Sequence, residues 1–457
     1  MRYYSTKGKA GGVSFAAAAL TGLAPDGGLF VPETIPPYPP AVAASLGTMD
    51  FHDIAVETIK PYVQGEIPDP VLEDMVQEAY PFAAPLIPVG DRLVLELFHG
   101  PTAAFKDFGA RFMARVFGYL RRGEDRSLHI LVATSGDTGG AVADGFYGIE
   151  GISVIVLYPK GRVSPLQERQ IAGLGGNITA LAVEGSFDDC QRMVKTAFQD
   201  QGLQQRRTLA SANSINITRL IPQAVYYAAA AGKAFTGKPD LPGGCSPWDP
   251  AGRPLALDSP HGGRCKPGQP ITFCVPSGNF GNLTAGLYAM KMGAPIGGFI
   301  AATNVNKTVP EYLAQGLYTP QPSQATISSA MDVGAPSNFE RMSGQWTLEE
   351  LRRLIQGVWV TDEDTRTTIR EVHDTQGYFL DPHTAVAWQG ADRIRASTPI
   401  PGSLGILSTA HPAKFAEIVE PLAGPVPTPA SLKQVMERKP VARIIPAERA
   451  ALLEVLS

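Results

Sequence analysis

Lys106 lies in the stretch His99-Gly100-Pro101-Thr102-Ala103-Ala104-Phe105-Lys106-Asp107-Phe108. A lysine prefers water, yet this one follows an apolar dipeptide and opens an amphipathic segment. Loss of water disfavours the ammonium form. A neutral amine is what forms Schiff bases and takes up protons. A buried structural lysine is the other reading, and the residue alone leaves both open.

Candidate anion sites lie elsewhere in the chain. Ser277-Gly278-Asn279-Phe280-Gly281-Asn282 joins a strand to a helix. Its glycines let successive N–H groups turn inward, and the helix N-terminus adds positive potential, so the turn suits a phosphate. It matches neither a Walker A loop nor the dinucleotide GxGxxG fingerprint, and a plain βα turn would look similar. Thr134-Ser135-Gly136-Asp137-Thr138-Gly139-Gly140 is a second such loop, in which Asp137 reads equally well as a helix N-cap. Asn213-Ser214-Ile215-Asn216-Ile217-Thr218-Arg219 sets amides and one arginine in an apolar region. Arg219 could clamp a phosphate or carboxylate, or could be a surface residue beside a capped helix start. In Ser408-Thr409-Ala410-His411-Pro412-Ala413-Lys414-Phe415, Thr409 suits a ring nitrogen as a hydrogen-bond partner. His411 and Lys414 there read as structural or solvated.

The elements that must hold these loops alternate. Strands are expected at 93–98, 128–133, 152–157, 271–275 and 403–407. Helices are expected at 107–122, from the 134–140 loop through Phe146, at 167–174 and at 283–292. Phe108, Phe112, Val116 and Leu120 share one helical face. This alternation predicts an α/β fold with parallel sheets, and such sheets gather ligands at the carboxyl ends of their strands. Residues 1–85 read as a proline-rich mixed region. The Pro/Gly-rich stretch 237–270 reads as an exposed insertion. It carries Cys245, His261 and Cys265, whose spacing matches no zinc pattern, so no metal is expected. No internal repeat is evident.

The totals narrow the class. The chain has 457 residues, net charge −4 and 44% hydrophobic residues. This length allows about two or three domains. The charge balance provides no broad field for nucleic acid or an acidic membrane. No apolar run reaches the roughly 18 residues of a membrane span. The alanine-rich run near residues 13–20 resembles a signal peptide only superficially. Scattered cysteines fit a reducing, cytoplasmic setting.

Together the motifs resemble the threonine synthase family of fold type II pyridoxal-phosphate enzymes. The resemblance rests on His99–Asp107, Ala133–Gly140, Pro276–Asn282 and Leu407–Phe415, with Tyr4-Ser5-Thr6 and Gly22–Leu29 near the start. It spans roughly 1–420 apart from 237–270. It implies a tryptophan synthase β-like fold with two open twisted sheets flanked by helices, plus an N-terminal domain. The implied division is 1–85, a smaller domain at 86–212, and a larger one at 213–457. Lys106 would carry pyridoxal 5′-phosphate. Gly278, Asn279, Phe280, Gly281 and Asn282 would cradle its phosphate, and Thr409 would face its ring nitrogen. Thr134, Ser135, Thr138, Asn213, Ser214 and Arg219 would hold the substrate's carboxylate and phosphate. Many fold type II enzymes have asparagine where this chain has Asp137, which leaves that residue's contact with the cofactor open. The implied reaction is conversion of O-phospho-L-homoserine and water to L-threonine and phosphate by a monomer or homodimer. The alternatives are a related phospho-lyase releasing 2-oxobutyrate and a non-catalytic ligand-binding α/β protein.

Overall fold

Aliphatic and β-branched runs such as Ile152–Pro159 form strands buried on both faces, as parallel sheets covered by helices require. The computed structural model describes residues 1–9, 11–134, 136–240 and 265–456. Ser135, Cys245 and His261 therefore lie outside the described residues.

The strands in chain order are β1 (Tyr3–Ser5), β2 (Phe30–Pro32), β3 (Leu86–Val89), β4 (Arg92–Glu96), β5 (Leu128–Ala133), β6 (Ile152–Pro159), β7 (Ile178–Glu184), β8 (Thr208–Ser211), β9 (Ile271–Pro276), β10 (Ile296–Thr303), β11 (Ile355–Trp359), β12 (Ser403–Ser408) and β13 (Arg443–Pro446). A six-stranded sheet has the order β11-β10-β9-β12-β4-β3, and a five-stranded sheet the order β13-β7-β6-β5-β8. Both are parallel except for the β3–β4 pair. A short antiparallel β1–β2 pair belongs to the N-terminal region.

Strand pairing departs from the division read off the sequence in two places. β3 and β4, expected with the smaller domain, join the six-stranded sheet beside β12. β13, expected with the larger domain, completes the five-stranded sheet beside β7. Sequence separation hides both, because neither strand pairs with its chain neighbours across the boundary. The ends of the expected insertion are anchored to the body of the protein. Lys233 Nζ meets Asp240 Oδ2 at 2.8 Å, and the Lys266 N–H donates to Ser403 Oγ at 2.9 Å.

The helix Lys106–Leu120 begins one residue earlier than the sequence suggests. It buries Phe108, Phe112, Met113, Val116 and Phe117. Phe108 is its anchor: its ring centroid lies 5.6 Å from Tyr80, 5.2 Å from Phe82 and 5.3 Å from Tyr226. These rings tie the N-terminal region and the helix Gln223–Thr236 to the segment that starts with Lys106. Phe108→Ala should cost about 3–5 kcal/mol of stability. Denaturant unfolding of the two proteins checks this, and a loss under about 1 kcal/mol would contradict the anchor role.

Candidate active site

The loops singled out in the sequence all follow carboxyl ends of strands. β4 leads to the Lys106 segment, β9 to 277–282 and β12 to 409–415; these three are neighbours in the six-stranded sheet. β5 leads to 134–140 and β8 to 212–219, and these two are neighbours in the other sheet. The site therefore forms where the two sheets present their carboxyl ends, as open α/β sheets favour.

Backbone hydrogen bonds fix the Lys106 segment against the end of β12. The Phe105 N–H donates to Thr409 O at 2.9 Å, and the His411 N–H donates to Ala103 O at 3.0 Å. Asp107 braces the same loop from inside. Its carboxylate accepts from the Thr102 N–H at 2.9 Å and from Thr102 Oγ1 at 2.6 Å. Burial pushes the Asp107 carboxyl up to about 7, against the pull of those hydrogen bonds. Among the described residues, the non-glycine residues with positive φ are Ala103 (53°) and Phe280 (62°). One lies just before Lys106 and the other in the glycine turn. Such strain persists where the surroundings over-determine the backbone, and it concentrates at functional sites.

The Lys106 side chain is 16% exposed, and its Nζ lies 3.9 Å from Asp137 Oδ2. Desolvation lowers its pKa from the ordinary lysine value. Lys414 and Arg219 push the same way, while Asp137 and Asp381 oppose them. Burial alone would raise the Asp137 carboxyl, but Lys414 and Lys106 hold it well below the usual carboxylate range. Lys414 Nζ sits 2.8 Å from Asp137 Oδ1 and donates to Thr102 O at 2.7 Å. Gln167 Nε2 donates to Asp137 Oδ1 at 3.0 Å.

Two sequence readings are corrected here. Asp137 is not the N-cap of its helix; Gly136 holds that position and the Asp137 side chain turns to the two lysines. Lys414 is not solvated, for its side chain is fully buried. Arg219 is 3% exposed, which removes the surface reading, and its Nη1 donates to Ala212 O at 2.8 Å. Its Nε has no hydrogen-bond partner among the described residues. Burial pushes this guanidinium down to about 10. Burial likewise pushes the His411 imidazole down to about 3.

The remaining candidates divide in their behaviour. Asn279 Nδ2 donates to Ser214 Oγ at 2.7 Å, which joins the glycine turn to the 213–219 cluster. Thr134 Oγ1 accepts from the Gly136 and Gly139 N–H groups at 3.0 and 2.9 Å, so this hydroxyl shapes its own turn. The side chains of Thr138 and Asn213 are partly exposed and make no hydrogen bond among the described residues. Asn282 spends its amide on Pro276 O at 3.0 Å and its carbonyl on the Leu283 N–H at 2.9 Å. Thr409 is 5% exposed, with its hydroxyl unpaired among the described residues.

Sequence reasoning missed Lys414, Gln167, Asn338 and Arg341. Arg341 is fully buried and donates to Phe30 O at 3.0 Å and to Asn338 Oδ1 at 2.5 Å, as well as to Ile215 O. Lys414 carried a readable signal: like Lys106, it sits among small and apolar neighbours.

The comparisons with known proteins define the family. The model described as "Pyridoxal-phosphate dependent enzyme" matches residues 90–234 and 263–409, which defines the class. "Threonine synthase N terminus" matches 2–80, and "Threonine synthase, C-terminal" matches 384–455. The threonine synthase of Escherichia coli K12 is 40% identical over 465 residues, covering 100% of this chain and 99% of that protein. That of Haemophilus influenzae is 42% identical, covering 94% of each. Among solved structures, Escherichia coli threonine synthase superposes with a TM-score of 0.84 at 40% identity, over 100% of this chain and 99% of that one. PLP-bound threonine synthase from Brucella melitensis gives 0.86 at 34% identity, over 100% and 98%. The chain belongs to the threonine synthase family and uses pyridoxal 5′-phosphate.

The residues present fit that cofactor. The N–H groups of Gly278, Asn279, Phe280, Gly281 and Asn282 donate to no described atom. Phe280 and Asn282 are 2% and 5% exposed, so unpaired donors there call for an acceptor from a ligand. A Cβ on Gly278 would come within 2.7 Å of Met331 Cα.

Thr102 is the mechanical centre of the lysine loop. Thr102→Val should leave the buried Asp107 carboxylate short of one donor and cost about 1–3 kcal/mol. Thermal unfolding of the cofactor-free chain checks this; an unchanged midpoint would show that the hydroxyl is dispensable.

Proposed function

We propose that this protein converts O-phospho-L-homoserine and water to L-threonine and phosphate. The observation that carries the reading is a desolvated Lys106 amine within one site that also holds unpaired N–H groups at 278–282 and the buried Arg219.

In this reading the N–H groups of Gly278 to Asn282 hold the cofactor phosphate. Thr409 offers the ring nitrogen a hydroxyl, which leaves that nitrogen less fully protonated than a carboxylate would. Bound pyridoxal phosphate supplies an electron sink for charge developing at the substrate's Cα. Lys106 is the residue whose amine would hold the cofactor. As a neutral amine, Lys106 would take the substrate's Cα proton. Overall, the reaction would remove protons from Cα and Cβ and phosphate from Cγ, add the hydroxyl of water at Cβ, and return protons to Cγ and Cα. Arg219 and Ser214, with Thr138, Asn213 and Ser135, bind the substrate's carboxylate and phosphate. Thr134 acts on the same groups through the turn it closes.

The site charges suit a dianionic substrate. Arg219, whose charge acts on Lys106 and which meets no carboxylate in an ion pair among the described residues, supplies a cation for it, and Lys414 balances Asp137. Incubation with O-phosphohomoserine should release threonine and phosphate in equal amounts, and 2-oxobutyrate in place of threonine would refute the hydration step. Lys106→Ala should abolish both turnover and the adduct that borohydride traps on this residue, as judged by peptide mapping. Gly278→Ala should weaken pyridoxal phosphate binding at least about tenfold, or about 1.4 kcal/mol. Absorbance titration of the cofactor-free chain reads that change, and unaltered affinity would remove the phosphate cradle from 278–282.

A further inference from the structure

The Lys106 ammonium faces a difficulty of its own making. A buried carboxylate near a lysine favours the charged amine, and a charged amine is neither a nucleophile nor a base. Asp137 lies 3.9 Å from Lys106 Nζ and is itself 5% exposed. Left alone, that carboxylate would close an ion pair with Lys106 and hold it protonated.

A second lysine stands in the way. Lys414 Nζ reaches the other carboxylate oxygen at 2.8 Å, closer than Lys106 comes, and it also donates to Thr102 O at 2.7 Å. Gln170 Nε2 donates to the same carbonyl at 3.0 Å, and Gln167 Nε2 to the same carboxylate at 3.0 Å. The Lys414 side chain is fully buried, so it has no water to retreat to.

We infer that Lys414 is a positioning residue for Lys106: by engaging Asp137 and the Thr102 carbonyl, it keeps the carboxylate from closing on Lys106 and leaves that amine free to lose its proton. The inference rests on Lys106 being the reactive amine of the proposed function. Two cations then share one anion, and mutual repulsion favours loss of one proton. Lys106, longer in its contact with the shared carboxylate, is the one that gives it up.

The other charged groups facing Lys106 do not replace this role. Arg219, at the helix Ile217–Leu220, adds to the positive side. Asp381 opposes it from the start of the helix Pro382–Ser397, where it accepts from the His383 N–H at 3.0 Å and meets His383 Nδ1 at 2.7 Å. Asp381 is thus already occupied by its own helix, and Asp137 is the carboxylate whose second oxygen faces Lys106.

The test is the pH dependence of Lys106 acylation in the full-length chain freed of pyridoxal phosphate, read by peptide mapping after brief exposure to a limiting amine reagent. Lys414→Gln should shift the labelling midpoint of Lys106 upward by about one pH unit, roughly tenfold slower labelling at a fixed pH below it. Asp137→Asn should shift it downward, because only cations then remain close. The double variant should fall between the two, a pattern that general loosening of the loop would not produce. A Lys414→Gln midpoint equal to or below that of the unaltered protein overturns the inference, as does an upward shift in Asp137→Asn. Absence of a borohydride-trapped adduct at Lys106 in the unaltered protein would instead overturn the anchor assignment, so the two failures are separable.

Discussion

Asp137 faces two ammonium groups, Lys106 at 3.9 Å and Lys414 at 2.8 Å, from the first turn of the helix that follows β5. Burying a carboxylate is costly unless it is paired and hydrogen-bonded. Here its partners arrive from separate parts of the chain, and in the proposed function one of them, Lys106, must also stay reactive. The geometry of the whole site follows from meeting both demands at once. The five-stranded sheet supplies the anion, and the six-stranded sheet supplies the cations that flank it.

The strained backbone serves the same end. Ala103 turns through positive φ so that Phe105 can bond to Thr409 and Ala103 can accept from His411. Phe280 does so in the glycine turn, where unpaired N–H groups gather at the start of the helix Gly281–Met292. A non-glycine residue in this conformation costs about 1–2 kcal/mol. The aromatic packing around Phe108 and the Thr102–Asp107 bonds hold the first of these turns in place.

Much of the site was legible because its residues cluster in short motifs at strand ends. Lys106, the 277–282 turn and Thr409 all stand where strand–helix alternation places them. Ser214 and Arg219 were visible as polar residues in an apolar stretch. Lys414 was not recognised, because a lone lysine usually keeps its head group in water, and only the fold shows the carboxylate that reaches it. Asp137 looked like a cap because its position fits one; its actual partners lie far away in sequence. The pairing of β4 with β12 and of β13 with β7 was equally hidden, since strand partners of high sequence separation leave no local periodicity.

The bracing of Lys106 by Thr409 and His411 has a consequence for biosynthesis of the chain. Translation proceeds from the N-terminus, and early segments begin to fold before later ones exist. A nascent chain that has emerged only as far as β10 contains the lysine and the glycine turn but lacks β12, the Thr409 carbonyl and the Lys414 ammonium. Its lysine then has neither the strand that seats it nor the cation that occupies Asp137. Seating of the Lys106 segment thus waits for a strand made late in synthesis.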